Sequence, residues 1–96
     1  MLPDSLRMNT AHEIACPCCG YRTIMTTFDI CSICGWEHDP VQESDPDHDD
    51  MGRNRITLRK AQGNFAAFGA KSEDKLTLVR PPGPDDLRDP NWRPFS

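Results

Sequence analysis

The rhythm of apolar and polar positions changes several times along the chain, and each change marks a boundary. The first 13 residues are polar without sustained periodicity and read as a flexible arm, with Ile14 the first residue placed to pack. Residues 21–30, YRTIMTTFDI, are rich in β-branched and aromatic side chains. They predict a short β-hairpin, although no Asn-Gly or Asp-Gly pair marks its turn. Residues 37–55 are mostly polar and acidic, and the Asp39–Pro40 and Asp45–Pro46 steps oppose helix, so this segment reads as a loop. Helical period returns over residues 56–69, ITLRKAQGNFAAFG. Leu58, Ala61, Phe65 and Phe68 share one face, Thr57 is placed to cap the helix and Gly69 to end it. Gly63 within it costs about 1 kcal/mol relative to alanine, so the helix depends on docking. Residues 75–80 alternate well enough to predict a short strand, and residues 81–96 form a proline-rich tail without regular structure. The pattern as a whole predicts a small α+β domain over residues 14–80, a hairpin ribbon at 14–36 followed by one packed helix.

Composition makes such a domain hard to stabilise. The chain has 96 residues, is 36% hydrophobic and contains nine prolines, which leaves little apolar surface to bury against chain entropy. A crosslink is the usual remedy. All five cysteines lie between residues 16 and 34, within CPCCGYRTIMTTFDICSICG. The N-terminus shows no basic-then-apolar leader pattern and no run long enough to span a membrane. The chain is therefore read as cytoplasmic, where clustered cysteines bind metal more often than they pair.

Two C-x-x-C-G units, Cys16/Cys19 and Cys31/Cys34, are separated by eleven residues. Each offers two thiolates from one tight turn, and the glycine allows the positive φ that turns amide N–H groups toward sulfur. The expected cofactor is one Zn²⁺ per chain held by Cys16, Cys19, Cys31 and Cys34, in a zinc-ribbon-like hairpin with two metal knuckles. Iron is the alternative, because paired knuckles of this kind also resemble rubredoxin. Cys18 is left without a task, unless it replaces Cys19 as ligand or acts as a reactive thiol beside the cation. His12 and His38 lie close enough in sequence to substitute for a cysteine, but four cysteines are already in register. CPCC also satisfies the C-P-x-C of thioredoxin-type dithiols, yet a glycine and a strand follow it where a helix should start.

Charge orders the remaining functional classes. The formal net charge is −4, and Glu37, Asp39, Glu43, Asp45, Asp47, Asp49 and Asp50 form a run with no intervening Lys or Arg. Four thiols losing protons add four negative charges and a divalent ion adds two positive ones, taking −4 to −6. Nucleic acid is thus a poor partner, although the cluster Arg53, Arg55, Arg59 and Lys60 keeps a nucleic-acid-binding ribbon as the alternative. The expected partner is a protein with a basic surface, met by Asp45, Asp47, Asp49 and Asp50. DPDHDD is not an EF-hand loop: Asp50 stands where the loop needs glycine, and no glutamate closes it. A closed four-cysteine site has no open coordination position, and no nucleophile–base pair is evident, so no enzymatic activity is expected.

The ordered set CPCCGY, ICSICGWEHD, an Asp/Pro-rich loop, NRITLRKAQGNFAAFG and VRPP resembles the cysteine-rich CPCC proteins from about Ile14 to Pro82. The resemblance implies a bacterial zinc-ribbon-like domain with a helix and no settled activity. Met51-Gly52 departs from a double glycine in similar proteins, and the tail beyond Pro84 lies outside the resemblance.

Overall fold

The computed structural model describes residues 13–47 and 53–95. Strand β1 (Ile14–Ala15) pairs antiparallel with β2 (Arg22–Ile24), in the register Ile14 with Ile24 and Ala15 with Arg22. This hairpin straddles the first knuckle instead of lying between the two knuckles, as the β-rich stretch 21–30 suggested. The second knuckle is closed in the same manner by an isolated antiparallel bridge between Ile30 and Glu37. The intervening residues turn back around Asp29, whose carboxylate accepts the backbone N–H groups of Met25 and Thr26.

The segment read as an acidic loop contains a short helix, α1 (Pro40–Ser44). Asp39 is its N-cap, accepting from the amides of Val41 and Gln42, and Pro40 occupies a first-turn position where its missing N–H costs nothing. The proline that opposed helix therefore starts one. The second Asp-Pro step lies just past the end of α1, with Asp45 as C-cap.

The main helix, α2 (Leu58–Phe68), is capped by the Thr57 hydroxyl on the Lys60 amide and ends at Gly69 in the left-handed conformation, φ 92°. Its buried face is Leu58, Ala61 and Gln62, with Phe65 only partly covered. Phe68 lies at the margin and Gln62 takes its expected place, because the Gln62 amide bridges Pro17 O in the first knuckle and the Phe95 amide in the tail. Gly63 faces outward, with nothing within 4 Å of where a Cβ would stand. Gly63→Ala should therefore raise stability by about 1 kcal/mol, read as a higher denaturation midpoint at unchanged slope.

Residues 75–80 form no strand. A 3₁₀ turn at Glu73–Lys75 continues into further turn structure, held by Leu76 N to Glu73 O and Leu78 N to Lys75 O. Leu76 and Leu78 are exposed there; alternation alone does not make a strand without an edge to pair with.

The tail is irregular but docked. Tyr21 bridges Arg88, Arg22 N donates to Leu87 O, and Asp89 N donates to Gly20 O. Arg88 stacks over the rings of Tyr21 and Trp92 and donates from Nε to Cys19 O, while Trp92 Nε1 donates to Pro17 O. Residues 87–92 thus pack against the first knuckle. Gly20 combines φ +86° with a position where an added Cβ would lie 2.6 Å from a Trp92 ring carbon. Gly20→Ala should cost about 2–4 kcal/mol, from left-handed strain plus displacement of the indole. An unchanged unfolding midpoint would show that Trp92 does not seat there.

Candidate metal centre

The core that these elements enclose is half cysteine. Cys16, Cys18, Cys19, Cys31 and Cys34 are fully buried together with Ile24, Ile33, Trp36, Leu58 and Ala61. Both knuckles use one hydrogen-bond pattern: Cys16 N to Tyr21 O and Gly20 N to Cys16 O in the first, Cys31 N to Trp36 O and Gly35 N to Cys31 O in the second. Gly20 and Gly35 have φ of 86° and 88°, the reversal that lets each loop fold back on its cysteines.

The Sγ atoms of Cys16, Cys19, Cys31 and Cys34 all lie within 4.8 Å of one another. Two cross-knuckle separations are 3.5 Å (Cys16–Cys34) and 3.7 Å (Cys19–Cys31). A tetrahedron with metal–sulfur bonds of about 2.3 Å has edges of about 3.8 Å, so the donor set fits a tetrahedral ion. Both zinc and iron accept such a cage.

Donors converge on the sulfurs of the second knuckle. Ile33 N reaches Cys31 Sγ at 3.4 Å and Trp36 N reaches Cys34 Sγ at 3.4 Å. Thr23 donates its hydroxyl to Cys31 Sγ at 3.0 Å. In the β1–β2 register Thr23 is the extra residue, and the irregularity there re-aims its side chain. Nothing in the sequence pattern distinguishes Thr23 from its neighbours as a sulfur donor.

The electrostatics of four buried thiols are unequal. Hydrogen bonds from Cys16, Cys19 and Cys34, with a smaller one from Thr23, hold the Cys31 thiol far below its ordinary pKa. Cys34 is pushed far up by hydrogen bonding with Cys16, Cys18, Cys19 and Cys31 and by burial, and Cys16 is pushed up first by burial. A thiolate at Cys31 is accommodated, and ones at Cys16 and Cys34 are resisted. A divalent cation at the centre would remove that resistance.

Cys18 is fully buried in the same core cluster and lies outside the group of four, which Cys19 completes. His38 is turned away, its Nδ1 2.9 Å from Glu43 Oε2. His12 and His48 lie outside the described residues.

Much of the acidic run is occupied internally. Glu43 Oε2 also accepts from Trp36 Nε1 and Asp39 N, each at 2.9 Å. Glu37 pairs with Arg53 at 2.6 Å and Asp47 with Arg59 at 2.9 Å. Asp45 is exposed, its Oδ1 accepting the Asp47 amide, and Asp49 and Asp50 lie outside the described residues. Sequence reading also missed Arg88 and Trp92. The signal was available, since a tryptophan and an arginine in an otherwise apolar-poor tail are suited to docking.

Among the described residues no helix is long and apolar enough to cross a membrane. No curated protein shows significant similarity to the chain. Residues 14–86, which include both knuckles, α1, α2 and the start of the tail, match the family described as cysteine-rich CPCC, and the chain belongs to that family.

Proposed function

We propose that the protein is a small zinc-stapled module that acts by binding another protein and performs no catalysis at its metal. The observation that carries this reading is the burial of all four ligand cysteines, which leaves no face of the tetrad for water or substrate. Such an ion organises structure. Zinc is preferred over iron because it needs no electron-transfer partner and is the common ion of closed structural cages.

The partner surface in this reading is the acidic segment carrying Asp45, Asp47, Asp49 and Asp50, and the partner is basic. Asp47 brings less free charge than the sequence implied, since Arg59 already faces it. The unscreened field of the remaining carboxylates would speed encounter with a basic surface, an effect weakened by salt. Native mass spectrometry should find one zinc per chain. Folded protein without metal, or a red iron chromophore, would refute the assignment. A partner recovered from the host should bind less tightly once Asp45, Asp47 and Asp49 are changed to asparagine, and undiminished binding would move the interface elsewhere.

A further inference from the structure

A concentration of charge of the opposite sign lies in a cleft of about 450 Å³ between the entry to α2 and the 3₁₀ turn. Arg53, Arg55, Lys60, Lys71 and Lys75 line it, against a single carboxylate, Asp74. Sequence places Arg53, Arg55 and Lys60 together; the fold brings Lys71 and Lys75 to join them. Some of this charge is answered. Arg53 pairs with Glu37, and Lys75 lies 3.9 Å from Asp74. Arg55 and Lys60 have no carboxylate partner among the described residues. Lys71, only 4% exposed, meets the neutral Asn54 Oδ1 at 2.9 Å and no carboxylate among them.

Five cations facing one concavity in a chain of formal charge −4 repel one another, and an anion relieves that repulsion. We propose that this cleft is a binding site for a small phosphorylated ligand, its phosphate oxygens held by Arg55 and Lys60 over the floor formed by Lys71. A guanidinium fork beside ammonium groups matches the geometry and charge of a phosphate dianion. The volume falls within the range of about 300–1,000 Å³ typical of small-molecule sites.

Two observations favour a small anion over a nucleic-acid strand. The lining contains no aromatic side chain on which a base could stack. The surplus positive charge is also local: a small ligand stays within about a Debye length of it, roughly 8–10 Å, while a long polyanion would run onto the acidic remainder of the molecule. The inference is independent of the metal's identity and of the acidic partner surface.

The test uses the full-length metal-loaded protein in phosphate-free buffer, with inorganic pyrophosphate as probe, followed by calorimetry and by amide chemical shifts. Saturable binding should appear, with shifts at Arg55, Lys60, Lys71 and Ser72. Arg55→Gln and Lys60→Gln should each weaken it about tenfold, as expected for loss of one charge-assisted contact. Arg93→Gln, outside the cleft, should leave it unchanged. Lys60 is exposed near the start of α2, so its variant reads binding without disturbing a buried group, and retained metal content checks the fold. The proposal is overturned by absence of saturable binding, by binding indifferent to both variants, or by tighter binding of citrate than of pyrophosphate. Tighter binding of a single-stranded RNA oligonucleotide than of pyrophosphate at physiological salt would overturn it in favour of a nucleic-acid site.

Discussion

Cys19→Ser is expected to lose both the bound metal and the native fold, while Cys18→Ser keeps the metal at a modest cost in stability. The two cysteines are adjacent and equally buried, so burial cannot separate them. Position relative to the tetrad does: Cys19 Sγ is one of the four grouped atoms and Cys18 Sγ is not. Structural zinc contributes about 10–16 kcal/mol in small metal-dependent domains, comparable to or larger than the total stability of about 5–15 kcal/mol of typical domains. A core that is half cysteine has little else to fall back on once the four thiols are no longer bridged. At Cys18 the change puts a hydroxyl into a site without solvent, a penalty of about 1–3 kcal/mol. Circular dichroism with zinc stoichiometry on both variants, and on wild type treated with a chelator, provides the measurement. Equal loss of metal from both variants would place Cys18 in the coordination set and remove the geometric assignment.

The parts of this structure legible in the sequence are those fixed over a few residues. The C-x-x-C-G spacing, the Thr57 cap and the Gly69 stop are all local, and the structure has each where the pattern put it. What was not legible depends on partners far along the chain. Glu37 and Asp47 looked like free acidic surface because their cations, Arg53 and Arg59, lie 16 and 12 residues away. Gln62 joins the buried face through two distant partners, Pro17 before the helix and Phe95 after it. Residues 75–80 failed as a strand for the converse reason: their alternation was right, but they pair with no strand among the described residues and Leu76 and Leu78 stay exposed. The Asp39–Pro40 step was ambiguous in itself, since the same pair that blocks a helix behind it caps one ahead of it.

The largest effect expected outside the cysteines is at Asn54, which is 4% exposed and satisfies its whole side-chain hydrogen-bonding capacity within the protein. Its Oδ1 accepts from Glu37 N at 2.6 Å and from Lys71 Nζ at 2.9 Å, and its Nδ2 donates to Glu37 O at 2.8 Å and Gln42 Oε1 at 2.9 Å. Through these bonds it ties the end of the second knuckle to α1 and to the segment after α2, whose Lys71 amide donates in turn to Cys34 O. Asn54→Ala leaves a buried ammonium without an acceptor and strands a buried amide, so a loss of about 3–5 kcal/mol is expected from denaturant unfolding of the metal-loaded protein. Burial first, then the neighbouring Lys75, holds the Lys71 ammonium below the ordinary lysine value of 10.5. A lowered folded pKa means the charged form is the one penalised by folding. The cost is therefore full below Lys71's folded pKa and shrinks as pH rises through it toward the unfolded value. The deficit of Asn54→Ala should narrow over the same window, and combining it with Lys71→Met should recover part of the loss at pH 7, because the unpaired charge is then gone. Strict additivity of the two substitutions would show that Asn54 does not hold Lys71, and the connection between the second knuckle and the basic cleft would have to be sought in the backbone alone.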